Sequence, residues 1–252
     1  MKLNKFLEFK EVDFDPIKSF YLKDTLNPKV WKGSEIDEDI RKNLLQIGSD
    51  FYKSLELKAD VQDIVIIGSM CNYNWDNKYS DFDLHVLIDF SQINDDYELV
   101  EKLADFAKKK WNFENDIIIS GYDVEIALQD INDFKNSVKE GKYSTFSLMR
   151  NKWIAKPNRV EFTPNEDLIR EKAESIMSKV DMIENGVDKM KYSKFNSKIT
   201  KVWKKIKSLR SSGLEEGGEF SLGNLIFKLL RRNGYISKIM NLKKYAYQKQ
   251  FD

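Results

Sequence analysis

Alternating apolar and polar positions give the clearest structural signal in this chain. Residues 81–90 place five apolar side chains on one face of a predicted strand: Phe82, Leu84, Val86, Ile88 and Phe90. The opposite face carries Asp81, Asp83 and His85. A strand with one wholly apolar face belongs in the centre of a sheet, packed against a core.

Further strands are predicted on both sides of this segment. Residues 64–67 form a short run of β-branched side chains that ends in Gly68 and Ser69, which is typical of a buried strand followed by a tight turn. Two more strands are expected at 116–120 and 122–129, separated by the turn residues Ser120 and Gly121.

Apolar residues at three- and four-residue spacing predict the helices. One helix is expected over 34–55, with Ser34 and Asp37 placed as a capping box, and another at about 96–110. After Pro164 the strand signal fades, and helices are expected at 164–185, 194–211, 221–233 and at the C-terminus. The order of elements predicts an α+β fold.

The domain boundary is expected between residues 156 and 165, a segment that holds two of the four prolines. Residues 1–160 would form a small mixed β-sheet flanked by helices, and residues 161–252 an all-helical C-terminal domain. The sequence contains no internal repeat.

Composition excludes several classes of protein. The chain has 252 residues, of which 33% are charged and 41% hydrophobic, and no apolar run approaches the length of a membrane span. The first ten residues lack a stretch typical of a signal peptide. A single cysteine, Cys71, cannot form an internal disulfide, and the single histidine excludes a site that needs two histidine ligands. We therefore expect an intracellular, cytoplasmic protein.

The formal net charge of +1 conceals an uneven distribution. Residues 191–252 hold 15 Lys and Arg against four Asp and Glu, which leaves 27 against 37 in the first 190 residues. The predicted helix at 194–211 has an apolar stripe and a second stripe of basic residues: Lys194, Lys198, Lys201 and Lys205. The basic face is either a site for RNA or another anionic acceptor, or an ordinary solvated surface.

Asp81 and Asp83 are candidate ligands for a metal ion. Two carboxylates at i and i+2 on one strand face repel each other, and a divalent cation is the obvious neutraliser. Glu125 lies on a second strand with the same alternation and closes the site if the two strands are neighbours. Asp123 shares the face of Glu125, so either acid can be the third ligand. Three carboxylates around hard cations favour phosphoryl or nucleotidyl transfer.

These motifs resemble the signature of the polymerase-beta-type nucleotidyltransferase superfamily. The resemblance rests on a hydrophobic strand ending in Gly68-Ser69, a spacer, the segment Asp81-Phe82-Asp83, and Glu125 on a later strand. Two longer segments, 79–85 and 218–235, also resemble uncharacterised predicted nucleotidyltransferases of large tailed phages. The chain would then act in the host cytoplasm if it is phage-encoded.

The resemblance implies a two-metal, template-independent nucleotidyltransferase. Asp81, Asp83 and Glu125 would bind two Mg²⁺ ions, for which Mn²⁺ can substitute, and would serve as the catalytic carboxylates. Nucleotide triphosphate binding is assigned to Gly68, Ser69, Ser80 and His85, although His85 fits a structural histidine equally well. The reaction would move a nucleoside monophosphate to an acceptor hydroxyl and release pyrophosphate. A non-catalytic nucleic-acid-binding or protein-interaction module on the same fold is the alternative.

Overall fold

The computed structural model describes residues 15–187, 190–249 and 251. The expectation that the chain has no signal peptide concerns the first ten residues, which lie outside the described ranges. The fold is α+β, as predicted: a mixed six-stranded sheet with flanking helices is followed by a region of four helices. The described residues form two compact units. One spans residues 22–161, and the other combines residues 15–21 with those from 162 onward.

The first unit contains the sheet. Its strands are β1 (Trp31–Lys32), β2 (Glu35–Ile36), β3 (Val61–Ile67), β4 (Phe82–Ile88), β5 (Ile118–Ile119), β6 (Tyr122–Asp130), β7 (Thr145–Ser147) and β8 (Lys152–Ala155). Its helices are α1 (Glu38–Ser54), α2 (Tyr97–Glu114) and α3 (Ile131–Lys139). The pair β1 and β2 is a separate two-stranded sheet.

The large sheet has the order β5-β6-β4-β3-β7-β8, which places β4 in the interior, as its sequence pattern predicts. Strands β4 and β6 are parallel, and the other neighbouring pairs are antiparallel. The predicted apolar face of β4 is confirmed, since Phe82, Leu84 and Val86 are all 0% exposed. This face joins the main core, to which α1 and α2 contribute.

The opposite face of the sheet has a much smaller apolar cluster. It consists of Val65, Ile67, Leu87 and Phe134, with Phe134 supplied by α3. On β3 the cluster reaches Ile67, which lies beside Asp83, and on β4 it is formed by Leu87 near the C-terminal end of the strand. The acidic residues at the N-terminal end of β4 remain half-buried.

The predicted start of the first helix was wrong. Asp37 is itself the N-cap of α1, and its carboxylate accepts hydrogen bonds from the amides of Asp39 and Ile40. Ser34 is not in a capping box, because the residues that follow it form β2 and pair with β1. Gly33, with φ +67°, supplies the left-handed conformation that this tight turn needs.

Five helices and strands of the sheet unit have no counterpart among the predicted ones: β1, β2, α3, β7 and β8. Strand β7 has three residues and β8 has four, so neither is long enough to show a clear alternation. Helix α3 begins directly after β6, with Asp130 ending the strand and capping the helix. The boundary therefore falls on a single residue, Asp130, with no loop between the two elements.

The second unit contains α4 (Glu166–Asn185), α5 (Tyr192–Gly217), α6 (Leu222–Arg232) and α7 (Tyr235–Gln248). The predicted apolar stripe of α5 lies in its core, with Phe195 and Ile199 both 0% exposed. Arg232 of α6 packs over the ring of Phe20 at 4.7 Å and donates to the hydroxyl of Ser19. None of the helices among the described residues has the length and apolar character required to span a membrane.

Candidate functional site

The parallel register of β4 and β6 brings two acids side by side. Asp83 is the direct partner of Glu125 in this ladder, and adjacent strands lie about 4.8 Å apart. Residues at matched positions of paired strands point to the same face, so both carboxylates leave the sheet on the same side. Asp81 shares this face because it lies two residues before Asp83.

The three carboxylates form a compact cluster. One oxygen from each of Asp81, Asp83 and Glu125 lies within 4.8 Å of the other two. Asp81 and Asp83 are half-buried, whereas Glu125 is exposed. These are hard oxygen donors at a spacing that can hold a divalent cation, which would also offset their mutual repulsion.

Asp123, the alternative third acid, lies elsewhere. It is exposed and pairs with Ile118 of β5, at the edge of the sheet. Among the described residues it does not belong to the cluster that contains Asp81 and Asp83. Glu125 is therefore the acid of β6 that the fold places beside them.

Gly68 lies against the carboxylate of Asp83. Strand β3 ends at Ile67, the antiparallel partner of Asp83, and Gly68 then turns away with φ +75°. A Cβ atom at this position would lie 2.3 Å from Oδ2 of Asp83, a distance that two such atoms do not tolerate. The backbone therefore approaches the acidic cluster so closely that a side chain at this position would displace the Asp83 carboxylate, and the positive φ also favours glycine.

Ser69 and Ser80 connect the two ends of the loop between β3 and β4. Their hydroxyl oxygens lie 2.8 Å apart. The amide of Asp76 also donates to the Ser80 hydroxyl, at 2.9 Å. In this structure the two hydroxyls hold the loop closed beside Asp81, and their predicted contact with a nucleotide stays a prediction.

His85 lies on the acidic face of β4, two residues after Asp83. Its Nδ1 lies 2.6 Å from Oε1 of Gln129 on β6. Burial lowers the pKa of His85 to about 4, despite the opposing effect of this hydrogen bond. A neutral imidazole adds no positive charge for phosphate, and its predicted contact with a nucleotide remains untested.

Gln129 was not among the predicted site residues. It lies four positions after Glu125, so strand alternation places it on the same face of β6. Alternation could therefore have predicted that Gln129 shares the face of Glu125. Its hydrogen bond with His85 could not be predicted, because it depends on the register between β4 and β6.

The single cysteine is isolated from solvent behind the site. Cys71 is 0% exposed, and its thiol donates to the carbonyl of Ile66 at 3.3 Å. Burial raises the pKa of this thiol well above its ordinary value. These properties are those of a structural thiol rather than a reactive one.

Comparisons with known proteins add little to this description. No protein-family model matches the sequence, and a search of curated proteins found no match. The fold shows some similarity to a STING-associated CdnE c-di-GMP synthase from Capnocytophaga granulosa, with 14% identity over 85% of this chain and 83% of that chain and a TM-score of 0.25. A TM-score this low does not establish a shared fold.

Proposed function

We propose that this protein is a divalent-metal-dependent nucleotidyltransferase. It would move a nucleoside monophosphate from a nucleoside triphosphate to an acceptor hydroxyl and release pyrophosphate. The observation that supports this proposal is the convergence of Asp81, Asp83 and Glu125 within 4.8 Å on one sheet face. The resemblance of residues 61–130 to the polymerase-beta-type signature points to the same chemistry.

Asp81 and Asp83 would hold the metal ions, and Glu125 would complete the ligand set or accept the proton of the attacking hydroxyl. Mg²⁺, or Mn²⁺ in its place, would supply charge neutralisation at the phosphate oxygens and lower the pKa of the acceptor hydroxyl. Catalysis by such a site depends on positioning and electrostatic stabilisation rather than on covalent bonds to the protein. The fixed strand register of Asp83 and Glu125 suits this requirement.

Gly68 and Ser69 would bind the triphosphate. Glycine lets main-chain amides approach anionic oxygens closely, and the turn after β3 lies directly beside the carboxylate cluster. The triphosphate would then lie beside Asp81 and Asp83, the residues that would hold the metal ions.

Calorimetry of triphosphate binding tests the proposal. We expect binding in the presence of Mg²⁺ and little or none with a chelator, because the triphosphate and the carboxylates repel each other without a cation. Glu125→Gln should weaken Mg²⁺-dependent binding, while its matched control Asp123→Asn should leave binding unchanged. Equal binding with and without Mg²⁺, or equal loss in the two variants, would contradict the assignment of the site.

Exposed lysines on α5, in the second unit, suggest a binding surface for the acceptor. Lys194, Lys198, Lys201 and Lys205 are exposed along α5, and none of the four has an ion-pair partner within the described ranges. A row of unpaired lysines attracts a phosphate backbone and releases its counterions. We propose RNA as the acceptor class on this basis.

Reversing the charge of this row should weaken RNA binding. For the triple variant Lys198→Glu, Lys201→Glu and Lys205→Glu, we expect at least tenfold lower affinity for single-stranded RNA at about 0.1 M salt and a shallower dependence on salt. The control reverses three exposed lysines of the sheet unit: Lys135, Lys139 and Lys142. Equal losses in the two triple variants would show that only net charge matters and would remove α5 as the RNA site.

A further inference from the structure

Helix α6 carries a lysine that is enclosed by protein without an ion-pair partner. Lys228 is half-buried, and burial is the main cause that lowers the pKa of its ammonium group. Within the described ranges no carboxylate lies within ion-pair distance of this group. Enclosing a charge without a counterion costs stability, so the presence of this lysine needs an explanation.

The charges around Lys228 are mostly positive. Three guanidinium groups lower the pKa of Lys228 further, those of Arg210, Arg231 and Arg232, while Glu219 has the opposite effect. Arg210 responds in the same way, since burial and then the charge of Arg231 lower the pKa of its own guanidinium. This part of the helical unit therefore holds more positive than negative charge.

The contact between α5 and α6 brings the cations together. The guanidinium carbon of Arg210, on α5, lies 4.2 Å from the centre of the Phe227 ring, on α6. Phe227 directly precedes Lys228 and lies one turn before Arg231. Positions 227, 228 and 231 fall within about 100° of one another around the helix axis. Cations from both helices therefore meet along one side of α6.

Two of the three arginines have no counterion of their own. Arg232 packs over the ring of Phe20 and donates to the hydroxyl of Ser19. In contrast, Arg210 and Arg231 are exposed and form no ion pair with any described residue. An anion from solution can therefore reach these two guanidinium groups and the ammonium group beside them.

These cations are separate from the lysine row of α5. Each residue of an α-helix advances by about 100° around the axis, so Arg210 lies roughly 150° away from the row formed by Lys194, Lys198, Lys201 and Lys205. An anion bound beside Phe227 would thus lie on a different side of α5 from RNA bound along the row.

We propose that Lys228, Arg210 and Arg231 form a binding site for a phosphate group. A planar guanidinium can donate two parallel hydrogen bonds to phosphate oxygens, and an ammonium group adds a compact positive charge. The phosphate would supply the negative charge that these residues lack and would offset the cost of enclosing Lys228. The same chemistry serves the phosphate of a small compound or of an RNA backbone.

Calorimetric titration with inorganic phosphate, in buffer free of divalent metals, tests this site. We expect the wild type to bind phosphate, and Lys228→Met and Arg231→Gln each to bind it at least about tenfold more weakly, because each loses a charged donor. Arg231 is exposed, so its substitution should leave the fold intact. The control Lys179→Gln removes one positive charge from an exposed position of α4 and should bind like the wild type. Asp83→Asn should also bind like the wild type, which separates this site from the proposed catalytic centre.

Two further probes distinguish the sources of the phosphate. If Lys228→Met weakens binding of pyrophosphate but not of single-stranded RNA, the ligand is a small phosphorylated compound; if it weakens binding of RNA, the ligand is an RNA backbone. A wild type that binds none of the three probes through these residues overturns the site. Equal affinities in Lys228→Met, Arg231→Gln and Lys179→Gln would show that only net charge matters and would also overturn it.

Discussion

Asp83→Asn is expected to reduce nucleotide incorporation by about a thousandfold or more, which corresponds to roughly 4 kcal/mol of lost transition-state stabilisation. Asp83 lies between Gly68 and Glu125, so its carboxylate is central to the cluster that would hold the metals. Asparagine keeps the shape of the side chain but removes the charge. The measurement is transfer of α-labelled nucleotide to RNA, to protein extract and to small molecules, each offered separately.

The fold should survive this substitution. Removing one of three neighbouring negative charges relieves repulsion, so the melting temperature of Asp83→Asn without metal should equal or exceed that of the wild type. Asp123→Asn, on the same sheet face but outside the cluster, should retain full activity. If Asp83→Asn remained active, the carboxylate cluster would not be the catalytic centre.

Gly68→Ala is expected to have the second-largest effect. Alanine at φ +75° costs roughly 1–2 kcal/mol of stability by itself. In addition, the new Cβ would lie 2.3 Å from Oδ2 of Asp83, so that the carboxylate must move by about 1 Å. A displacement of this size in a metal ligand can reduce the rate by about a hundredfold. Labelled-nucleotide transfer and thermal melting should be measured on the same preparation.

A matched substitution separates the two effects. Gly33 has φ +67°, and a Cβ there would meet no atom within 4 Å. Gly33→Ala should therefore show a similar loss of stability and no loss of activity. If both variants lost activity equally, the close contact between Gly68 and Asp83 would have no catalytic importance.

Much of the sheet could be predicted because its central strands have regular patterns. The alternation in 81–90 identified β4, and the β-branched run at 64–67 identified the end of β3. Strands β7 and β8 are too short for such a pattern, and their position depends on pairing with β3 and with each other. Pairing between strands that are distant in sequence is not encoded in either strand alone.

Helix α2 shows the limit of periodicity. Leu99, Leu103 and Phe106 predicted a helix at about 96–110, and a helix is present from 97 to 114. Yet these three residues are exposed, and the buried positions are Val100 and Ala104. The apolar spacing establishes that a segment is helical, but not which apolar stripe packs against the core of its own chain.

The candidate site was partly predictable, because strand alternation shows which acids share a face but not which residues of two strands are paired. Asp81 and Asp83 stand out because the opposite face of their strand is wholly apolar. A period of two leaves Asp123 and Glu125 equivalent, and only the register with β4 distinguishes them. The approach of Gly68 to the Asp83 carboxylate depends on the three-dimensional path of the chain after β3.

The buried thiol of Cys71 offers a native probe of the scaffold that carries the acidic cluster. Its partner is the carbonyl of Ile66, and Gly68 follows two residues later at the end of the same strand. An alkylating reagent can reach this sulfur only in molecules in which the surroundings of Cys71 have transiently opened. The rate of alkylation therefore reports local opening at this position, without a label having to be introduced.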